Sequence, residues 1–136
     1  AKGILQEIVR GIFLNSGPHL RILERLHEHA LDTFDALQRS DWDAACEAVR
    51  ISWILNQQLD SGTNPPEVQS ILDRIAGDVA GAKLLGAGGG GYMLILARSP
   101  EAGTRIRRTL EQSPPNARAH FVDISVSQTG LEITRS

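Results

Sequence analysis

The chain has 136 residues, 41% hydrophobic and 22% charged, which are the proportions of one ordinary globular domain with a real core. A net charge of −2 gives no electrostatic footing for nucleic acid or an anionic membrane surface. One cysteine, Cys46, excludes an internal disulfide and fits a reducing, cytoplasmic setting, and no apolar run approaches membrane-spanning length.

In chain order, residues 2–14 read as a helix, with Ile4, Leu5, Ile8, Val9, Ile12 and Phe13 along one stripe. The sequence opens at Ala1, without methionine and on what reads as mid-helix, so a piece of something longer is expected. Asn15-Ser16-Gly17-Pro18 breaks that helix, and a second is expected over 18–39 with Leu20, Leu23, Leu26, Ala30, Leu31, Phe34 and Leu37 inward. Ser40, with Asp43 three residues on, reads as the N-cap of a third helix over 41–60. Trp42, Cys46, Val49 and Trp53 form its apolar face, and Ile51, Leu55 and Leu59 broaden it, which predicts two packed neighbours. Asp60 to Pro66 is a loop, in which Asn64 is expected to cap a fourth helix carrying Val68, Ile71, Leu72, Ile75 and Val79 and ended by Gly81.

A short strand (82–86), a glycine loop and a second strand (91–97) follow, the second apolar at nearly every position and so expected to be buried on both faces. Ser99-Pro100-Glu101 starts a fifth helix, with Ala102, Ile106 and Leu110 inward and Arg105, Arg107 and Arg108 outward. Residues 113–116 turn, 121–126 alternate as a half-buried strand, and 131–134 form a last one. The expected class is α+β: one domain over 1–136, with a helical part (1–64) and an α-β-β-α-β-β part (65–136), built as an antiparallel sheet with helices on one face.

The stretch Lys83 to Ala97, KLLGAGGGGYMLILA, places five glycines in six positions: Gly86, Gly88, Gly89, Gly90 and Gly91. Glycine loses more freedom on folding than any other residue, so such a run persists where backbone must take φ > 0 or lie close to something else. Uncovered N–H groups suit a phosphate or sugar phosphate. Gly86, Gly88 and Gly91 spell a G-x-G-x-x-G, but a strand follows rather than a helix, so a dinucleotide fold is excluded. Gly91-Tyr92-Met93 likewise lacks the Gly-Lys-Ser/Thr of a Walker loop. A strand–glycine loop–strand hairpin remains; its plain alternative is a bare hairpin tip.

The run Asn56, Gln57, Gln58, Asp60, Ser61, Thr63 and Asn64 reads either as a helix exit with the next helix's cap, or as a rim of donors and acceptors for ligand hydroxyls. His27 and His29 are two apart on a helix and point to different faces, while His19 and His120 lack a ligand-spaced cluster, so no metal site is expected. Cys46 reads as a small core hydrophobe.

The string Lys83-Leu84-Leu85-Gly86-Ala87-Gly88-Gly89-Gly90-Gly91-Tyr92 resembles the third motif of the GHMP kinases, the galactokinase, homoserine, mevalonate and phosphomevalonate kinase superfamily. Ala1 to Arg10 and Trp53 to Pro66 resemble its sugar-kinase branch, the L-fucokinases and the D-glycero-D-manno-heptose 7-phosphate kinases. The heptose branch reads differently across Asp60 to Asn64, which favours the fucokinases. The resemblance covers nearly the whole chain and corresponds to the C-terminal lobe of such an enzyme, with a ferredoxin-like sheet. It implies ATP-dependent phosphorylation of an anomeric sugar hydroxyl, with ATP and Mg²⁺ used by the full-length enzyme and neither bound by this piece alone. It implies that Gly86, Ala87, Gly88, Gly89, Gly90 and Gly91 face substrate or phosphate. Asp60, Ser61, Thr63 and Asn64 are a possible substrate rim, and no catalytic residue is expected here. The implied partner is an N-terminal lobe of the same polypeptide, and the piece is expected to be inactive without it. A free-standing small-molecule-binding or regulatory module is the alternative, and a purely structural or dimerising domain a third reading.

Overall fold

The computed structural model describes residues 2–14, 17–86, 90–127 and 129. Among these residues five α-helices, α1 (Lys2–Phe13), α2 (Gly17–Gln38), α3 (Trp42–Leu59), α4 (Pro66–Ile75) and α5 (Pro100–Gln112), accompany a 3-10 turn (Ser61–Thr63) and two strands, β1 (Val79–Leu84) and β2 (Met93–Ala97). The class is therefore α+β, as expected. No helix among the described residues is long and apolar enough to cross a membrane.

Helix α3 is the axis of the fold. It packs on α2 on one side and on β1 on the other, which is why its apolar face widens along its length. Cys46, Trp53 and Leu55 are buried, whereas Trp42, at its first turn, is 55% exposed and lies outside the core. The first residues of α3 are capped by Asp41, whose carboxylate accepts from the Ala44 N–H at 3.0 Å. Ser40, the expected cap, instead ends α2. It sits at φ +54, its N–H bonds Leu37 O at 3.0 Å, and the Asp41 N–H reaches back to Ala36 O at 3.0 Å. That is the paired bonding of a Schellman end, where glycine is usual. Ser40→Gly removes a left-handed side-chain penalty and should raise stability by about 0.5–1 kcal/mol. Urea unfolding checks it, and an unchanged or lower midpoint counts against the Schellman reading.

The α4 helix starts later and ends sooner than its apolar stripe suggests. Pro65 precedes it without a side-chain cap, Pro66 takes its first position, and it stops at Ile75. Val79 and Gly81 then belong to β1. Gly81 does not terminate a helix; it lets two backbones touch. A Cβ there would lie 2.6 Å from the Cys46 carbonyl oxygen of α3.

β1 and β2 pair antiparallel, with Ala82 opposite Ile95 and Leu84 opposite Met93, and the register slips between Val79 and Gly81. The Leu85 N–H donating to Tyr92 O at 2.8 Å closes the hairpin just below the glycine loop. Leu84 joins Trp53 and Val68 in the core, with Leu72 and Met93 against them. β2 is half-buried at every position rather than covered on both faces. Ser99 caps α5 through a 3.2 Å bond from the Ala102 N–H, and Ala102 and Ile106 face inward. Of the outward arginines, Arg105 pairs with Asp78, and the Arg107 guanidinium sits 4.5 Å from the Phe121 ring centre. Arg74 of α4 donates to the last carbonyls of α5, at Thr109 (3.0 Å) and Ser113 (2.7 Å), where cations are favoured.

Two expectations shift. Residues 121–126 join no ladder among the described residues, and Ile124 and Val126 are 81% and 86% exposed. Alternation alone cannot supply a strand with a partner. The expected strand over 131–134 lies outside the described residues. The stripes of α1 and α2 are also less buried than expected, with Leu5, Val9, Ile12, Phe13, Leu31, Phe34 and Leu37 all exposed.

Candidate functional site

The end of α3 is folded back on itself by its own polar groups. The Asp60 N–H bonds Asn56 O at 3.1 Å, and the Asp60 carboxylate accepts from the Gly62 N–H at 2.7 Å, capping the 3-10 turn. Thr63, 2% exposed, donates its hydroxyl to Asn56 O at 3.3 Å. This turn stands beside the end of β1, and between them opens a cleft of about 100 Å³ lined by Ile8, Asn56, Leu59, Thr63 and Gly86. The cleft thus joins α1, the end of α3, the 3-10 turn and the first residue of the glycine loop.

Gly86, Gly90 and Gly91 have φ of +78, +137 and +100, conformations that side chains rarely adopt. A Cβ built at any of the three meets nothing within 4 Å. These three glycines therefore present main chain to open space, and Tyr92 beside them is 65% exposed. Unshielded backbone of this kind can approach a phosphate or sugar more closely than any side-chain surface. Ala87, Gly88 and Gly89 lie outside the described residues.

The four rim positions behave differently from one another. Thr63 lines the cleft, but its hydroxyl is spent on Asn56. Asp60 caps the turn, and Ser61 is exposed within it. Asn64 does not cap α4. Its amide donates to Gln57 Oε1 at 3.1 Å and Gln69 Oε1 at 2.8 Å, stitching α3 to α4, while its own buried Oδ1 has no partner among the described residues. Gln57 and Gln69 extend the chain to Trp53 O (3.2 Å) and Asp73 (2.7 Å). Much of the polar run is therefore structural glue, the plainer of its two readings. Asn56, the first residue of that polar run, lines the cleft as well, and so do Ile8 and Leu59, which the sequence marks only as apolar helix positions. For those two the signal along the chain is helical position alone, which looks identical for core and cleft.

On β1, Lys83 reaches α3, its Nζ 2.6 Å from Ser52 Oγ. Burial pushes its ammonium below the ordinary lysine range. Cys46 is buried, and burial, with help from the Asp43 charge, raises its thiol pKa, which suits an inert core residue. Among the described residues no three His, Cys, Asp or Glu side chains gather to hold a metal.

The family model for GHMP kinases C terminal matches residues 33–116. The chain is 47% identical over all 136 residues to an L-fucokinase/L-fucose-1-P guanylyltransferase of Bacteroides fragilis, of which it spans 14%. It is 30% identical over 112 residues, 82% of its length, to a bifunctional fucokinase/GDP-fucose pyrophosphorylase of Arabidopsis thaliana, of which it spans 11%.

Proposed function

This chain belongs to the GHMP kinases C-terminal family, and from that premise we propose that it is the C-terminal lobe of an ATP-dependent sugar kinase acting on the anomeric hydroxyl of L-fucose. The observation that carries the proposal is the cleft in which Gly86, the start of the bare glycine loop, meets Asn56 and Thr63. Phosphoryl transfer is chiefly positioning and charge stabilisation, so a loop of unshielded amides is a useful contribution. The glycines at 86–91 would lie along the transferred phosphoryl group or the sugar phosphate. Asn56 and Ser61 would supply a rim for hydroxyls. Asp60 and Thr63 hold that rim in shape.

The catalytic base and the Mg²⁺ ligands are assigned to an N-terminal lobe of the same polypeptide. A cleft of about 100 Å³ is small against the roughly 300–1,000 Å³ of a ligand pocket, so it serves as one wall of a site completed by that lobe. The chain alone should therefore neither turn over ATP nor retain sugar, whereas the longer protein should convert ATP and L-fucose to ADP and the 1-phosphate. An ADP-release assay on both, with L-fucose and heptose phosphates offered side by side, decides. Turnover by the isolated 136 residues would overturn the two-lobed site, and turnover of heptose phosphate alone would overturn the sugar.

A further inference from the structure

Helix α2 has two apolar faces, and among the described residues only one is covered along its length. His29 Nε2 lies 2.7 Å from the Ala48 carbonyl oxygen and Ala36 is buried, so the side bearing these residues rests on α3. Around the helix from it runs a second row: Leu20, Leu23, His27, Ala30, Phe34 and Leu37. These positions step by three and four in alternation, the spacing of a seam between two helices. Leu20 and Leu23 are half-buried, and the row is exposed from His27 onward, with Phe34 at 58% and Leu37 at 61%. Leu31 beside it is 60% exposed. At 1.5 Å per residue the row is about 25 Å long. At its far end a groove of about 170 Å³ opens among Leu37, Ser40, Asp41 and Trp42. An exposed apolar surface of this extent marks a place where something docks.

The cleft and this row call for different occupants. The cleft is lined from α1, α3, the 3-10 turn and Gly86, and by nothing on α2. Leu5 and Ile12, about one turn either side of the cleft-lining Ile8, are exposed as well, so a lobe that completes the cleft has its seat on α1. Charge selects the occupant of the row on α2. The first half of the helix carries Arg21 and Arg25 against Glu24, and the second half carries Glu28, Asp32 and Asp35 with no lysine or arginine. A second α2 laid antiparallel sets the base-richer half over the acidic half at both ends, whereas a parallel copy would oppose acid to acid. The apolar residues agree with the same register. Leu20 falls opposite Leu37, Leu23 opposite Phe34 and His27 opposite Ala30, so the one imidazole meets the smallest side chain of the row. The α1–α2 corner of one copy, where Phe13 and Leu14 are 85% and 69% exposed, then comes level with the groove beside Leu37 and Trp42 of the other.

We propose that α2 is a homodimer seam, in which two copies of this chain pack antiparallel about a two-fold axis at the level of Glu28 and His29. Such an interface is isologous, so every contact across it occurs twice. It stands apart from the kinase reading, since no residue of the row lines the cleft.

Sedimentation equilibrium on the full-length protein is the test. Wild type should have at least twice the mass of one chain at about 50 µM. Phe34→Asp should halve that mass and weaken association by at least about a hundredfold, because a lost anchor enters a two-fold interface twice. His27→Leu is the converse variant: it removes the polar side chain from the row and should tighten association by about tenfold. It decides alone should circular dichroism show Phe34→Asp misfolded, and association unchanged in it overturns the proposal. Cross-linking reads the orientation. Leu20→Cys and Leu37→Cys, mixed and oxidised, should join to each other and neither to itself, with the native Cys46 buried out of reach. A monomeric wild type, its row covered by another part of its own polypeptide, overturns the proposal, as does a folded Phe34→Asp with wild-type mass. A mixture that fails to join, or either variant linking to itself, overturns the antiparallel order.

Discussion

Gly81→Val should destabilise the fold by about 3 kcal/mol, the upper range of an overpacked core. A Cβ at Gly81 would sit 2.6 Å from the Cys46 carbonyl oxygen and 3.4 Å from the Val49 side chain. Neither partner can retreat cheaply. The carbonyl belongs to the backbone of α3, and Gly81 is held in register opposite Leu96. Even Gly81→Ala meets the same oxygen, so its gain of about 0.4–1 kcal/mol from a stiffer unfolded chain cannot offset the clash. The urea midpoint should fall without a change in slope, which separates lost stability from a change in the unfolded state. Gly103→Ala is the internal control. It lies inside α5, and its added Cβ meets only the Ala97 Cβ, at 3.6 Å. It should stabilise by about 0.5–1 kcal/mol, as alanine does in a helix interior. A Gly81→Ala midpoint equal to wild type would mean that β1 does not press on α3 as described.

The same glycine shows where sequence reasoning stops. A glycine after an apolar-periodic run is the ordinary mark of a helix end, and nothing local distinguishes it from a glycine that admits a neighbouring backbone. The glycine loop between two strands is legible because four consecutive glycines cost so much conformational entropy that only an unusual backbone path sustains them. The widened face of α3 is legible for a similar reason, since two apolar sides require two neighbours. The cap of α3 falls one residue later than its pattern suggests because Ser40 and Asp41 are both good caps, and only the bonds to Leu37 and Ala36 assign Ser40 to the helix before it. The alternation at 121–126 is real, but pairing is a property of two strands, and one strand's sequence does not name the other. The site is half legible. Gly86 and Thr63 do line one cleft, yet the other rim residues resemble ligand-facing groups because helix exits and binding rims draw on the same polar side chains. The Lys83–Ser52 contact, 31 residues apart, has no signature along the chain at all.

Gly90→Val in the full-length protein should lower kcat/KM for sugar phosphorylation by about a hundredfold, the scale of a misplacement of roughly 1 Å at a reacting group. The substitution tests conformation rather than bulk. A Cβ at Gly90 meets nothing within 4 Å, so no clash is introduced, but φ of +137 is a region that a β-branched residue avoids at a cost of about 1–3 kcal/mol. The loop relieves that strain by moving, because Gly90 is exposed and nothing packs against it. The backbone at Gly90 then shifts while the core residues Trp53, Val68 and Leu84 are untouched. Activity should therefore collapse with the melting temperature nearly unaltered, the reverse of the outcome at Gly81. Gly77→Ala is the matched control, since a Cβ there also meets nothing and its φ is not in the left-handed region; it should leave both rate and stability as they are. A Gly90→Val enzyme with wild-type kinetics would reduce the loop to a connector and take the phosphate-facing role from it.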